Sequence, residues 1–323
     1  MDTRKVQMTS DGTFFVTLPK TWVTIHGIGR GATLTFAEGN DGKLLLGPQS
    51  ERDRESRSIK LGPGPTLERD IEEKYLLGYD MIELESRSVL HSEVRDHVKS
   101  ILKKLVGLEI VEEDAQKIVM QCLIEPSLLA PERIIRRLHL MTKAMQQDAI
   151  TAFANCDLKL AKTVEERDEE VDRLYFLLVR IVRDALTDLT TAERIHASPV
   201  DCLDYRILSS LIEHFGDYST LIAMNVPSPR RGFPKQTSRS LKQSGETINL
   251  MYSSSVEAVL SRNLNLISRV GELQRKALDE IKAIEHALVG LDHGVLDQAT
   301  SAISSLKSMC EINVDIADLA MGR

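Results

Sequence analysis

Aromatic residues are scarce in this 323-residue chain, 4% of the total with a single tryptophan. That scarcity suits helices packed through Leu, Ile, Val and Ala better than an aromatic-rich β sandwich. Cysteine is sparse as well. Cys122, Cys156, Cys202 and Cys310 are scattered without CxxC spacing, which fits reduced thiols rather than a disulfide framework or a zinc knuckle. No run approaches eighteen apolar residues, so no membrane insertion is expected. The N-terminal MDTRKVQMTSDGTFFV has no apolar stretch of signal-peptide type, and a cytoplasmic location is the expectation. Positive charge is not in excess either. At a net charge of −7 the whole molecule is no glove for nucleic acid, and any DNA contact must come from a local patch.

What is present is a soluble-protein composition, 42% hydrophobic and 28% charged, on a chain long enough for two or three domains. Residues 1–50 read as short strands, KVQMT, TFFVTLP, ATLTFAE and KLLLG. They are punctuated by Asp11-Gly12, Gly27, Gly29, Gly31, Gly39 and Asp41-Gly42. Pro19 opens a helical turn holding Trp22, which reads as a core anchor rather than a base-stacking residue. Fifty residues cannot bury much core alone, so pairing with a second copy is expected. Residues 51–57, ERDRESR, read as a charged linker. Residues 58–128 alternate as βαβαββ, a small α+β domain without a Gly-rich phosphate loop. From Pro131 helical periodicity runs almost to the end. The spacing predicts six long helices, near 131–154, 157–187, 199–225, 238–260, 263–289 and 295–321, with a turn-rich hinge at PSPRRGFPK.

The N-terminal residues Arg4-Lys5-Val6-Gln7, Gly12-Thr13, Val16-Thr17-Leu18-Pro19-Lys20-Thr21-Trp22, Gly27-Ile28 and Gly31-Ala32-Thr33-Leu34 resemble the AbrB/SpoVT family, and the LPKxW variant resembles its archaeal branch. The resemblance covers about 45 residues. It implies a swapped-hairpin β dimer that binds DNA, with Arg4, Lys5, Lys20 and Arg30 as the contacting residues. Thr13 stands where DNA-binding members place an arginine. Over residues 1–50 five cations meet four carboxylates, a net charge of +1, which makes a weak phosphate-binding patch.

The sharpest chemistry lies in residues 164–183, VEERDEEVDRLYFLLVRIVR, and in LIEHFGDYSTLIAM at 211–224. Asp168 and Asp172 are four apart, as are Glu213 and Asp217, so each pair shares one helix face. Val164, Val171, Leu174, Leu178 and Ile181 recur beside the first pair, and carboxylates next to an apolar seam are costly to bury uncompensated. If the two helices pack antiparallel, all four converge. An oxygen quartet suits hard or borderline cations. The alternative is an exposed acidic face paired with Arg167, Arg173 or water. His214 is expected to point about 100° away from the site.

The helical region repeats. An offset of 106 residues places Ala152 on Ala258, Val164 on Val270 and Glu166 on Glu272, and in the third helices an offset of 94 aligns Ile222-Ala223 with Ile316-Ala317. Asp168 then becomes Gln274, Asp172 Leu278, Glu213 Lys307 and Asp217 Glu311, so one half alone keeps the quartet. This region, through Val164-x-Glu166-x-Asp168-x-x-x-Asp172, Glu213-His-Phe-Gly-Asp217 and Asp315-Ile-Ala-Asp-Leu-Ala320, resembles the PhoU family of phosphate-uptake regulators. The resemblance implies two three-helix bundles in tandem, 131–226 and 237–323, and a metal ion (Mg, Mn, Fe or Zn) on the quartet. The expected fold is mixed and mainly α, with an N-terminal β module, a small α+β middle domain and the tandem bundles. The expected function is regulation of phosphate uptake, not catalysis. The protein would act as a homodimer on DNA, or as an adaptor to a phosphate ABC transporter or signalling protein. Di-iron bundles need Glu-x-x-His pairs that the quartet region lacks.

Overall fold

The computed structural model describes residues 3–38, 42, 44–48, 56–125, 129–228, 232–288 and 293–322. Most of the charged run at 51–57, the centre of the 227–235 hinge and residues 290–292 lie outside them, as do Gly39, Asp41 and Lys43. The chain divides into two compact units, Met1–Ser56 and Arg57–Arg323.

In the smaller unit, β1 (Gln7–Met8) pairs antiparallel with β2 (Phe14–Phe15), and β3 (Leu34–Glu38) with β4 (Leu44–Pro48), as two separate two-stranded sheets. The first turn needs Gly12, at φ 89°. Between the hairpins lies α1 (Lys20–Ile25), with Pro19 as its N-cap. The first two strands are shorter than the β-branched runs suggested. None of the described residues 3–48 is buried, and Phe14 and Ile25 are 71% and 78% exposed. Trp22 is half-buried beside His26. Two-stranded hairpins without a covered apolar face are marginal in water.

The larger unit starts with the βαβαββ module. It comprises β5 (Ser58–Leu61), α2 (Leu67–Leu76), β6 (Met81–Glu85), α3 (Ser92–Leu102), β7 (Leu108–Glu113) and β8 (Lys117–Cys122). The sheet order is β5-β6-β8-β7, parallel between β5 and β6 and antiparallel elsewhere. Alternation puts Ile82, Leu84, Ile118 and Met120 on the face that packs with Ile71 and Tyr75 of α2 and Val98 and Ile101 of α3. The opposite face is polar, where Lys60 meets Glu83 and Glu85.

The helices follow as α4 (Pro131–Asn155), α5 (Leu158–Thr187), the short α6 (Leu189–Ile195), α7 (Pro199–Met224), α8 (Lys235–Ser261), α9 (Asn265–Ala287) and α10 (His293–Asp318). The six long ones stand where periodicity placed them. Asp188 starts the seventh, α6, by accepting from the Thr191 N–H at 3.0 Å and its hydroxyl at 2.6 Å. A reciprocal box between Ser198 and Asp201 starts α7, with Pro199 at its first position. Helices α4, α5 and α7 form one bundle and α8, α9 and α10 the other, over one continuous core.

The repeat is visible in the backbone. α4 and α8 end at Cys156 and Arg262, both left-handed, at φ 55° and 54°. Each ending bonds the following N–H five residues back, from Asp157 to Ala152 at 2.9 Å and from Asn263 to Ala258 at 3.1 Å. Asp157 and Asn263 then cap the next helices through their side chains. The halves meet along α4 and α8. A Cβ at Gly245 would lie 2.9 Å from Ile150, so glycine permits the approach. Two buried amides there are paired: Gln146 donates to the Gly245 carbonyl at 3.0 Å and accepts from Asn249 at 2.8 Å.

The sheet module is fastened to α5 by Arg180, 1% exposed in the middle of an apolar run. Its guanidinium donates to the Tyr75 and Tyr79 carbonyls, each at 2.8 Å, and to Asp80 at 3.1 Å, and it lies over the Tyr75 ring. Phe176, one turn earlier, packs into the module's core. Replacing Arg180 with Met keeps the volume but removes the guanidinium donors from two carbonyls and from Asp80. Urea unfolding is expected to show a loss of about 3 kcal/mol; a loss below about 1 kcal/mol would show that the clamp does not hold the module.

Candidate metal centre

Helix α5 carries Asp168 and Asp172, and α7 carries Glu213 and Asp217. Each pair sits on the edge of the stripe that its helix buries, beside Val171 on one side and Ile212 and Phe215 on the other. Gly216 lies between the acids of α7 and lets that helix pack closely on α4 with α5 alongside. A Cβ there would come 3.1 Å from Thr142 of α4 and 3.9 Å from Asp168 Oδ1. Phe215 stacks on Tyr252 of α8, centroids 3.8 Å apart, which fixes the rotation of α7.

The four carboxyl groups do come together. Burial and then mutual repulsion raise the affinity of the cluster for protons. Burial lifts Glu213 to about 8, with Asp217, Asp172 and Asp168 adding to the shift. Burial and the neighbouring Asp168 and Asp217 lift Asp172 to about 6, while Lys104 of the sheet module opposes. Asp168 and Asp217 are both raised, chiefly by burial. Thr220 moderates Asp168 from a geometry short of a full hydrogen bond, and the buried Asp168 Oδ1 has no hydrogen-bond partner.

Arg167 pairs with Asp148 at 2.5 Å, and the Arg173 side chain makes no ion pair with the quartet among the described residues. Neither arginine of the acidic-face alternative therefore pairs with the quartet, although Arg206 lies near enough to favour the charged form of Glu213. His214 corrects the sequence reading. Its Nε2 lies 3.6 Å from Glu213 Oε2, and one ligand atom each from Glu213, His214 and Asp217 fall within 4.8 Å of one another. The helical angle places the Cβ of His214 away from the site, but the imidazole is long enough to swing back. Asp168 and Asp172 stand outside that tightest triad, as electrostatic neighbours across from it.

Partly buried carboxylates without cationic partners, one orphaned oxygen and an imidazole at the rim fit a divalent cation, the histidine favouring Mn, Fe or Zn over Mg. Glu213, His214 and Asp217 would supply the nearest donors, with Asp168 and Asp172 completing the negative shell. In the second half Lys307 occupies the place matching Glu213 and pairs with Glu285 at 2.6 Å, so a cation there is replaced by a side-chain one.

Residues 135–226 match the model of the PhoU domain. The matched span runs from α4 to the end of α7 and so contains all four carboxylates. Two solved structures are similar in backbone course. One is the phosphate transport system regulatory protein PhoU from Streptococcus pneumoniae, at 15% identity over 59% of this chain and 91% of that one, TM-score 0.49. The other is PhoU from Pseudomonas aeruginosa, at 15% identity over 60% and 95%, TM-score 0.45. No curated protein matches the chain. No helix is long and apolar enough to cross a membrane among the described residues.

The raised carboxyls of α5 and α7 make stability depend on pH. A group with a raised folded-state pKa stabilises the fold when protonated, and that contribution is lost as pH rises through the folded value. Burial of neutral His139, lowered to about 4, works in the opposite sense below its ordinary value of 6.5. Between pH about 6.5 and about 8.5 the carboxyls therefore dominate. Chelator-treated protein is expected to lose about 1 kcal/mol across that window, after allowance for solvent screening of half-buried groups. Calorimetric melting should show the fall, and saturating Mn²⁺ should abolish it. A profile that is flat without metal, or one that still falls with it, would contradict the site.

Proposed function

We propose that the chain regulates phosphate uptake, with its PhoU-like half as the sensing and partner-contacting part. The observation that carries this reading is a coincidence of position: the PhoU-domain match and the carboxylate site fall on the same two helices, α5 and α7. In this reading a divalent or transition cation on Asp168, Asp172, Glu213 and Asp217, with His214, fixes the spacing of those helices. A phosphate ABC transporter or a signalling protein reads the resulting surface. The role is regulatory, and it assigns no catalytic residue.

The smaller unit supplies the output. Its described residues bury nothing alone, and its apolar side chains Phe14, Ile25 and Phe36 are exposed, which supports pairing with the same unit of a second chain. Arg4, Lys5, Lys20 and Arg30 are exposed in that unit and would contact DNA phosphates in the homodimer. A partner or cation bound to the helices changes DNA affinity only by preferring one of the dimer's states, and the preference is reciprocal.

One observation favours an adaptor that never touches DNA. The β1–β2 turn presents Asp11, which accepts from Thr9 and holds Thr13, so a carboxylate stands where a DNA-reading turn needs a cation. Electrophoretic mobility shifts on DNA upstream of phosphate-transport genes, at graded salt, separate the two. Binding that weakens steeply with salt and drops about tenfold or more in the Arg4→Ala/Lys5→Ala variant is the expected result. No shift even at low salt would remove the DNA role. Phosphate uptake that is the same in cells with and without the chain would remove the regulatory reading altogether.

A further inference from the structure

A cleft of about 390 Å³ opens where the sheet module meets the first bundle, and its rim is basic. Lys99 and Lys103 come from the end of α3, four residues apart on one face, and Arg173 comes from α5. The floor is apolar, from Leu105 and Ile110, and a single carboxylate, Glu109, shares the rim. Among the described residues none of the three cationic side chains has an ion pair. Their neighbours do: Lys104 binds Glu68 at 2.6 Å, and Arg95 binds Glu113. Cations at a helix C-terminus answer its dipole, which accounts for Lys99 and Lys103 but not for Arg173, which sits in mid-helix on another element.

The wall of the cleft is rigid. The turn from α3 into β7 passes through Gly107 at φ 79°, where a Cβ would lie 2.3 Å from the Ile124 side chain. Only glycine fits, so the position of β7 beneath α3 is fixed by packing rather than by a mobile loop. Three unpaired positive charges around a concave, partly apolar surface focus positive potential there. Each guanidinium or ammonium group has free donors for an oxyanion, and Arg173 has the planar fork that matches phosphate oxygens.

We propose that this cleft binds a phosphate-class oxyanion, free or carried on a small molecule, through Lys99, Lys103 and Arg173. A ligand held there touches the sheet module and α5 together, at the residue next to Asp172. The negative quartet opposes an anion so placed, and a cation on the quartet removes the opposition. Oxyanion and cation therefore bind each other's complex more tightly than the free chain. This coupling rests on the cation site argued above; oxyanion binding itself does not.

Isothermal titration of the full chain in chelator and low salt tests the cleft, with inorganic phosphate in one arm and adenosine monophosphate in the other. Saturable binding of either is expected, weakened at least tenfold in Lys99→Glu/Lys103→Glu and again in Arg173→Glu. All three side chains are exposed, so the variants should keep the circular dichroism and melting of the parent. Binding of phosphate alone identifies the free anion, and binding of the nucleotide alone identifies a phosphorylated small molecule. No binding of either at millimolar concentration, or binding that the variants do not weaken, would overturn the proposal. Saturating Mn²⁺ in place of chelator should tighten the parent's binding more than that of the Asp217→Asn variant; an equal change in both would overturn the coupling while the oxyanion site stands.

Discussion

Four carboxylates held within electrostatic range on two packed helices set the terms for the rest of the molecule. Leaving them ionised and unpaired is unfavourable, and the fold answers only with distant cations, Lys104 near Asp172 and Arg206 near Glu213. It places them on the edge of the buried stripe, lets Gly216 seat α7 closely against Thr142 of α4, and leaves one carboxylate oxygen of Asp168 without a partner. A structure tuned only for stability would place a cationic side chain there, as the second half does with Lys307 and Glu285. The same frame, built twice, thus carries the acidic cluster in one half and a side-chain ion pair in the other.

Helix α5 links that problem to the remainder of the larger unit. Within three turns it carries Asp168 and Asp172 toward α7, Arg173 toward the basic cleft, and Phe176 and Arg180 into the sheet module. A shift of α5 would be felt at all of these points, because the buried Arg180 is bonded to two backbone carbonyls and to Asp80 of the sheet module. Stiff coupling of this kind turns a charge change at one place into a rearrangement at another.

The long helices were legible because the apolar period, the Pro131 and Pro199 starts and the breaks at Asn155 and Ser261 all agreed. The βαβαββ order was legible for the same reason. Helix α6 was missed, since seven residues carry too little periodicity and its one signal, Asp188 capping Thr191, resembles any turn. His214 was misjudged because a helical wheel locates Cβ atoms and ignores the reach of an imidazole. Arg180 gave a signal, a guanidinium between Val179 and Ile181, but its partners are mostly main-chain carbonyls, which no side-chain pattern reveals. The pairing of halves across α4 and α8 depends on Gly245 meeting Ile150, a steric fact that appears only in three dimensions. In the smaller unit the strands were found, but their extent was set by pairing rather than by β-branched content.

The central claim is that the quartet holds a cation, and anomalous diffraction from crystals soaked in Mn²⁺ tests it most directly. The account predicts a peak bounded by Glu213, His214 and Asp217 and facing Asp168 and Asp172, absent from the Asp217→Asn protein. A fully soaked crystal with no peak among those side chains, or a peak that survives the substitution unchanged, would contradict it.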